Sequence, residues 1–221
     1  MRPLQMKIVF LDRDGVINKK APEKLADGTT GYTRNWSEFH WLHGSKQALK
    51  ILKDKGYLII VISNQHGVYK GLYTKEDVWE IEKNLQAELQ KELGIQIDAF
   101  YNCFHGKDEN CNCRKPKPGM ILQGLKDIQG ESFSPASNGG TDVKPRSEAT
   151  KEGLTLLRKD SIFMVGDSVN DILAGQAAGA KTIFLTTRLA AELSLELEEL
   201  DKTVKPDYIF PSLLGAVQKI L

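Results

Sequence analysis

The sequence predicts an α/β fold: a central parallel β-sheet with helices on both faces, a three-layer α/β/α arrangement. Three observations carry this reading. Short apolar runs alternate along the chain with longer amphipathic segments. The run at 57–62 is apolar at all six positions and β-branched at four, as a strand buried on both faces requires. Polar residues, acids among them, follow directly on such runs, which is where an open α/β sheet places ligand-binding groups.

The elements follow in order. Lys7–Leu11 reads as the first strand. A helix over 45–55 is closed by Gly56, and the second strand follows at 57–62. A long helix spans 74–93. Thr74 and Asp77 resemble a capping box, Val78, Ile81, Leu85, Leu89 and Leu93 mark its buried stripe, and Gly94 ends it. Ala99–Cys103 is the third strand and 118–128 a helix. Strands at 162–165 and 182–185 flank a helix containing 172–178. Tyr208–Phe210 forms a short edge strand, and 212–221 a last helix. Such alternation gives parallel strands joined by crossover helices.

The polar stretch at 130–153 interrupts this order. Phe133, Ala136, Val143 and Ala149 are its apolar residues, too few to offset the entropy of ordering it. A flexible loop is expected there. It leads from a helix back into a strand, so it should lie at the amino edge of the sheet, away from the ligand-binding edge.

With 221 residues and 41% hydrophobic content, the chain suits a single domain, 1–221, with a real core. Thirty basic and 29 acidic residues leave a formal charge of +1, which gives no electrostatic case for nucleic acid or a membrane surface. No run approaches the ~18–20 apolar residues of a membrane span. Asp12 cuts the amino-terminal apolar run too early for a signal peptide. A soluble, cytoplasmic monomer is the expectation.

The stretch Phe10-Leu11-Asp12-Arg13-Asp14-Gly15 concentrates the chemistry. Two carboxylates at the mouth of a buried strand repel one another and cost desolvation energy. A core has no use for them, whereas a magnesium site does. Ser63 and Asn64 end the second strand, where a hydroxyl and an amide can bind phosphate oxygens or simply build a turn. Arg114-Lys115-Pro116-Lys117-Pro118 holds bases between prolines, either to neutralise a phosphoryl group or as a solvated turn. Asp167 follows the 162–165 strand, placed for an oxygen-rich magnesium site or a helix N-cap. Asp171, four residues on, shares its helix face and can orient it.

All three cysteines fall between 103 and 113. Cys103, His105, Cys111 and Cys113 match a closed Cys₃His tetrahedral zinc site, against the alternative of free cysteines in one loop. Such zinc is structural, because four protein ligands leave no open position, and it contributes roughly 10–16 kcal/mol in small peptides. The zinc loop at 103–113 ends directly before Arg114-Lys115, so it would fix the segment presenting those bases.

Together these residues resemble the four motifs of the haloacid dehalogenase superfamily of phosphohydrolases, over nearly the whole chain. The resemblance implies a Rossmann-like domain with a minimal cap. It implies Asp12 as the nucleophile that accepts a phosphoryl group and Asp14 as acid, then base. Ser63 and Lys115, with Asn64 and Arg114 beside them, would bind phosphate. Mg²⁺ would be held by Asp12, the Asp14 backbone carbonyl and Asp167. The zinc loop is similar to the subgroup of heptose-bisphosphate and histidinol-phosphate phosphatases. The stretches at 67–77 and 113–120, with Gly31-Tyr32-Thr33 and Phe39-His40-Trp41-Leu42, are closer to the heptose enzymes.

The expected partner is therefore a small phosphorylated metabolite. Removal of the 7-phosphate of D-glycero-D-manno-heptose 1,7-bisphosphate is the leading reading, with histidinol phosphate as the alternative. Lys19, Lys20 or Arg34 could meet a second phosphate, and Glu23 or Asp27 an amino group. A nucleic-acid-end phosphatase is disfavoured by the neutral charge. A phospho-acceptor signalling domain is disfavoured by Asp14, which supplies the acid and base for turnover.

Overall fold

The computed structural model describes residues 6–21, 31–130, 161–186 and 204–221. Within them the chain runs β1 (Lys7–Leu11), a 3₁₀ turn (Trp36–Glu38), α1 (Ser45–Asp54), β2 (Tyr57–Asn64), α2 (His66–Tyr69), α3 (Lys75–Leu93), β3 (Ala99–Cys103), α4 (Gly119–Gln129), β4 (Ile162–Gly166), α5 (Val169–Ala177), β5 (Lys181–Leu185), β6 (Tyr208–Phe210) and α6 (Leu213–Lys219). The expected loop at 130–153 lies outside the described residues beyond Gly130, as do Glu23 and Asp27.

The six strands form one sheet in the order β3-β2-β1-β4-β5-β6, with each neighbouring pair parallel. Strand order reverses beside β1, between the halves that grow outward through β2 and β4. Crevices at such a reversal are where open α/β sheets bind ligands.

Alternation along the strands builds two cores. Val9, Leu11, Ile59, Val61, Phe163 and Val165 pack with Leu49 and Leu52 of α1, Ile81, Leu85 and Leu89 of α3, and Val217 of α6. The intervening residues Ile8, Phe10, Ile60, Ile62 and Met164 pack with Met120 and Ile121 of α4 and Ala174 of α5. Each fully buried Ile or Leu contributes roughly 1.5–3 kcal/mol. This is the three-layer α/β/α architecture that the apolar runs demand. No described helix is both long and apolar enough to cross a membrane.

The capping box of α3 forms as its sequence requires. Thr74 Oγ1 accepts from the Asp77 amide at 3.2 Å, and Asp77 Oδ2 accepts from the Thr74 amide at 2.7 Å. Two details differ from the sequence reading. β2 continues through Ser63 and Asn64, because Asn102 and Cys103 of β3 pair alongside them. The one-turn helix α2 and the 3₁₀ turn, with Asn35 accepting from the Glu38 amide, are too short to leave a periodic pattern.

Candidate active site and cysteine loop

β1 delivers Asp12 to the carboxyl edge of the sheet. The Asp12 amide donates to the Val165 carbonyl of β4 at 3.0 Å, which ties the two strand ends together. Gly15 sits at φ +95°, and a Cβ there would overlap the Asp167 carboxylate. Only glycine suits both the turn and the close approach.

Lys115 holds the centre. Its buried ammonium lies 2.7 Å from Asp12 Oδ1 and 2.6 Å from Asp171 Oδ1, and donates to the Ile62 carbonyl at 3.0 Å. Burial works against its charge, but Asp12 and Asp171 outweigh burial and hold its pKa above the ordinary lysine value. Asn64 grips the same residue. Its Nδ2 donates to the Lys115 carbonyl at 3.0 Å, and its Oδ1 accepts from the Lys115 amide at 3.1 Å. Asn64 thus faces the backbone that carries the lysine.

Asp12, Asp167 and Asp171 offer carboxylate oxygens that all lie within 4.8 Å of one another. Burial raises the Asp12 carboxyl to about 7, with Lys115 opposing and Asp171 and Asp167 adding to the rise. A compact, buried set of anionic oxygens suits a hard divalent cation such as Mg²⁺. Lys20 reaches the rim of this set, with Nζ 3.2 Å from Asp167 Oδ2. The sequence reading had Asp171 share a helix face with Asp167 and orient it, but α5 begins at Val169, behind its Ser168 cap, and leaves Asp167 outside the helix. The structure aims Asp171 at Lys115, and its other oxygen accepts from the Ser168 hydroxyl at 2.6 Å and amide at 3.1 Å, capping α5.

Asp14 points into a different environment. It receives Arg13 Nη2 at 2.9 Å, Asn18 Nδ2 at 2.9 Å and Gln65 Nε2 at 3.4 Å. Burial alone would raise its pKa. The Arg13 charge and the hydrogen bonds from Asn18, Arg13 and Thr33 outweigh burial and hold the carboxyl below its ordinary value. Two acids two residues apart are thus pushed in opposite directions. Arg13, 1% exposed, and Gln65 stand inside the motifs of the sequence reading, which gave neither a role. Neither position differs in sequence from an ordinary turn.

Asp12, Asp14, Ser63, Asn64, Lys115 and Asp171 line one cleft of about 230 Å³, together with Tyr32, Thr33 and Tyr73. A neighbouring cleft of about 280 Å³ contains Lys107, Arg114, Lys115 and Lys117. Arg114 donates to the His105 carbonyl at 3.2 Å, and Lys117 to Asn110 Oδ1 at 2.6 Å. Arg34 pairs instead with Glu38, at 2.6 Å.

The cysteine loop converges on one point. Cys113 Sγ lies 3.3 Å from Cys103 Sγ, 3.4 Å from Cys111 Sγ and 3.2 Å from His105 Nδ1. Cys103 Sγ lies 3.6 Å from Cys111 Sγ and 3.7 Å from His105 Nδ1. Sulfurs about 2.3 Å from a tetrahedral zinc ion would sit about 3.8 Å apart, close to this packing. The hydrogen bond with Cys113 pulls the Cys103 thiol down to about 5, and the same contact pushes Cys113 up. Three sulfurs and an imidazole nitrogen gathered this closely are a donor set that suits a thiophilic cation.

The chain matches known proteins along its length. A family model described as polynucleotide kinase 3 phosphatase matches residues 7–138, and one described as HAD-hydrolase-like matches 112–216. A D-glycero-beta-D-manno-heptose-1,7-bisphosphate 7-phosphatase of Helicobacter pylori strain J99 is 36% identical, over 82% of this chain and 84% of its own. The protein of that name from Haemophilus ducreyi is 31% identical over 96% of both chains. Among solved structures, D,D-heptose 1,7-bisphosphate phosphatase from B. bronchiseptica, complexed with magnesium and phosphate, superposes with a TM-score of 0.72. It covers 97% of both chains at 23% identity.

Proposed function

This chain belongs to the HAD-like phosphatases, and we propose that it removes the 7-phosphate of D-glycero-D-manno-heptose 1,7-bisphosphate through a phosphoryl-aspartate on Asp12. The observation that carries this reading is the Asp12 carboxylate on the Lys115 ammonium at 2.7 Å, beside Asp167 and Asp171, at the carboxyl edge of the sheet. The substrate follows from relatives of that activity that align over most of the chain.

Asp12, Asp167 and the Asp14 backbone carbonyl would hold a magnesium ion, which would supply positive charge against the phosphoryl oxygens. Asp12 attacks phosphorus, and the bond from phosphorus to the sugar oxygen breaks. Asp14, ionised at rest, must take up a proton before this step, and gives it to that oxygen. Asp14 then takes a proton from water as the water attacks phosphorus, which frees Asp12 and releases phosphate. Lys115 and Ser63 neutralise and bind the phosphoryl oxygens through both steps. Asn64 keeps Lys115 in place, and Arg114 receives the remote phosphate at the cleft edge. Cys103, His105, Cys111 and Cys113 hold structural zinc, which fixes the segment bearing Arg114 and Lys115.

The test is magnesium-dependent phosphate release from D-glycero-D-manno-heptose 1,7-bisphosphate, L-histidinol phosphate and a 3′-phosphorylated oligonucleotide, side by side. A clear preference for the bisphosphate is expected. A preference for either other substrate would overturn the assignment while leaving the chemistry in place.

A further inference from the structure

Gln65 lies just past β2, 1% exposed. Its amide nitrogen donates to Ser63 Oγ at 2.7 Å and reaches Asp14 Oδ2 at 3.4 Å. Its carbonyl oxygen accepts from the Tyr73 hydroxyl at 2.8 Å. An ionised carboxylate can only accept, so the nitrogen must face Asp14 and the amide has a single orientation. Ser63 Oγ accepts from that nitrogen and so keeps its own proton for another acceptor. Tyr73 is seated for its part: a side chain at residue 67 would overlap its ring, and glycine stands there.

We propose that Gln65 is a positioning residue for the phosphoryl site: locked by Tyr73, its amide directs the Ser63 proton toward the phosphoryl oxygen and holds Asp14 alongside. One side chain thereby registers the phosphate-binding hydroxyl against the acid that serves the leaving oxygen. This rests on the phosphatase reading above. It differs from packing alone because the amide's polarity does the work, not its volume. Glutamate has the same shape and the opposite capacity. It would accept the Ser63 proton and set a second negative charge against Asp14.

The experiment measures magnesium-dependent hydrolysis of para-nitrophenyl phosphate, and its inhibition by inorganic phosphate, for the wild type, Gln65→Glu, Gln65→Leu and Tyr73→Phe. Gln65→Glu should lose about 100-fold in kcat and Gln65→Leu about 10-fold, with phosphate inhibition by the Glu variant weakened about 10-fold. A packing role predicts the reverse order, since Glu fills the site and Leu does not. A Glu variant at least as active as the Leu variant, or one with unchanged phosphate inhibition, overturns the inference. Tyr73→Phe keeps the ring on Gly67 and loses only the hydroxyl. It should fold, and should lose about 3–10-fold in kcat. An unchanged kcat there overturns the inference even if the Gln65 variants fail to fold. Wild-type protein without turnover overturns the phosphatase reading and this inference together, whereas wild-type turnover with the wrong order among variants overturns this inference alone.

Discussion

Replacing Asp12 with Asn removes one negative charge from a buried cluster of three, and it should separate stability from turnover. Burial, with Lys115 opposing and Asp171 and Asp167 adding, moves the Asp12 carboxyl from 3.8 to about 7. That displacement corresponds to about 4 kcal/mol against the ionised form in the folded protein. The folded state binds this proton more tightly than the unfolded state does. The stability it contributes is therefore full below about pH 4 and is lost as pH rises through about 7. In magnesium-free, zinc-replete buffer the wild type should lose stability across that window, and Asp12→Asn should not. Above pH 7 the variant should be more stable by up to about 4 kcal/mol, or roughly 8–16 °C in Tm for a chain of this size. Turnover should be abolished, because a carboxamide is a poor nucleophile. Thermal unfolding from pH 4 to 9, with and without magnesium, and phosphate release form the assay. Magnesium should narrow the gap by stabilising the wild type through binding. A gap that does not change with pH, or a variant less stable than wild type at pH 8 without magnesium, refutes the reasoning.

Three other outcomes are expected. Gly15→Ala places a Cβ against the Asp167 carboxylate at positive φ. It should cost about 1–3 kcal/mol in stability and weaken magnesium binding, read by calorimetric titration; unaltered affinity would show that the turn relaxes freely. Cys111→Ser should drop zinc content from about one ion per chain toward zero, with a lower Tm and reduced activity, by metal analysis alongside unfolding; a full complement of zinc would remove Cys111 from the ligand set. Asp98 accepts from the Ile59 amide at 2.7 Å and pairs with Lys53 at 2.8 Å, away from the cleft. Asp98→Ala should cost about 1–3 kcal/mol by leaving that amide unsatisfied, with kcat intact; a matching fall in kcat would tie this end of the sheet to the chemistry.

What the sequence makes legible rests on local physics. An apolar run ending in an acid is visible as Phe10-Leu11-Asp12 and Val165-Gly166-Asp167, and burial at strand ends follows from it. Cys103, His105, Cys111 and Cys113 lie within eleven residues, so one loop can gather them. Where the sequence falls short, the outcome depends on directions that only the assembled sheet fixes. Asn64 and Ser63 are neighbours at a strand end, yet one grips the Lys115 backbone and the other faces the cleft. Asp171 lies four residues after Asp167, but Asp167 precedes the Ser168 cap and stands outside α5, and Lys115 arrives from a distant segment to claim Asp171. Gln65 and Arg13 are buried in the assembled fold, Gln65 against Tyr73, and no pattern around residues 13 or 65 announces that cover.

The placement of β1 has a consequence for how the molecule comes into being. β1 comes first among the described strands, yet its two flanking partners are β2 and β4, and β4 lies about 150 residues further along the chain. Until β4 is made, Asp12 lacks the Val165 carbonyl that anchors its amide, and Asp167 and Asp171 do not yet exist to join it. If Asp12, Asp167 and Asp171 act together as proposed, a chain stopped short of β4 is inert.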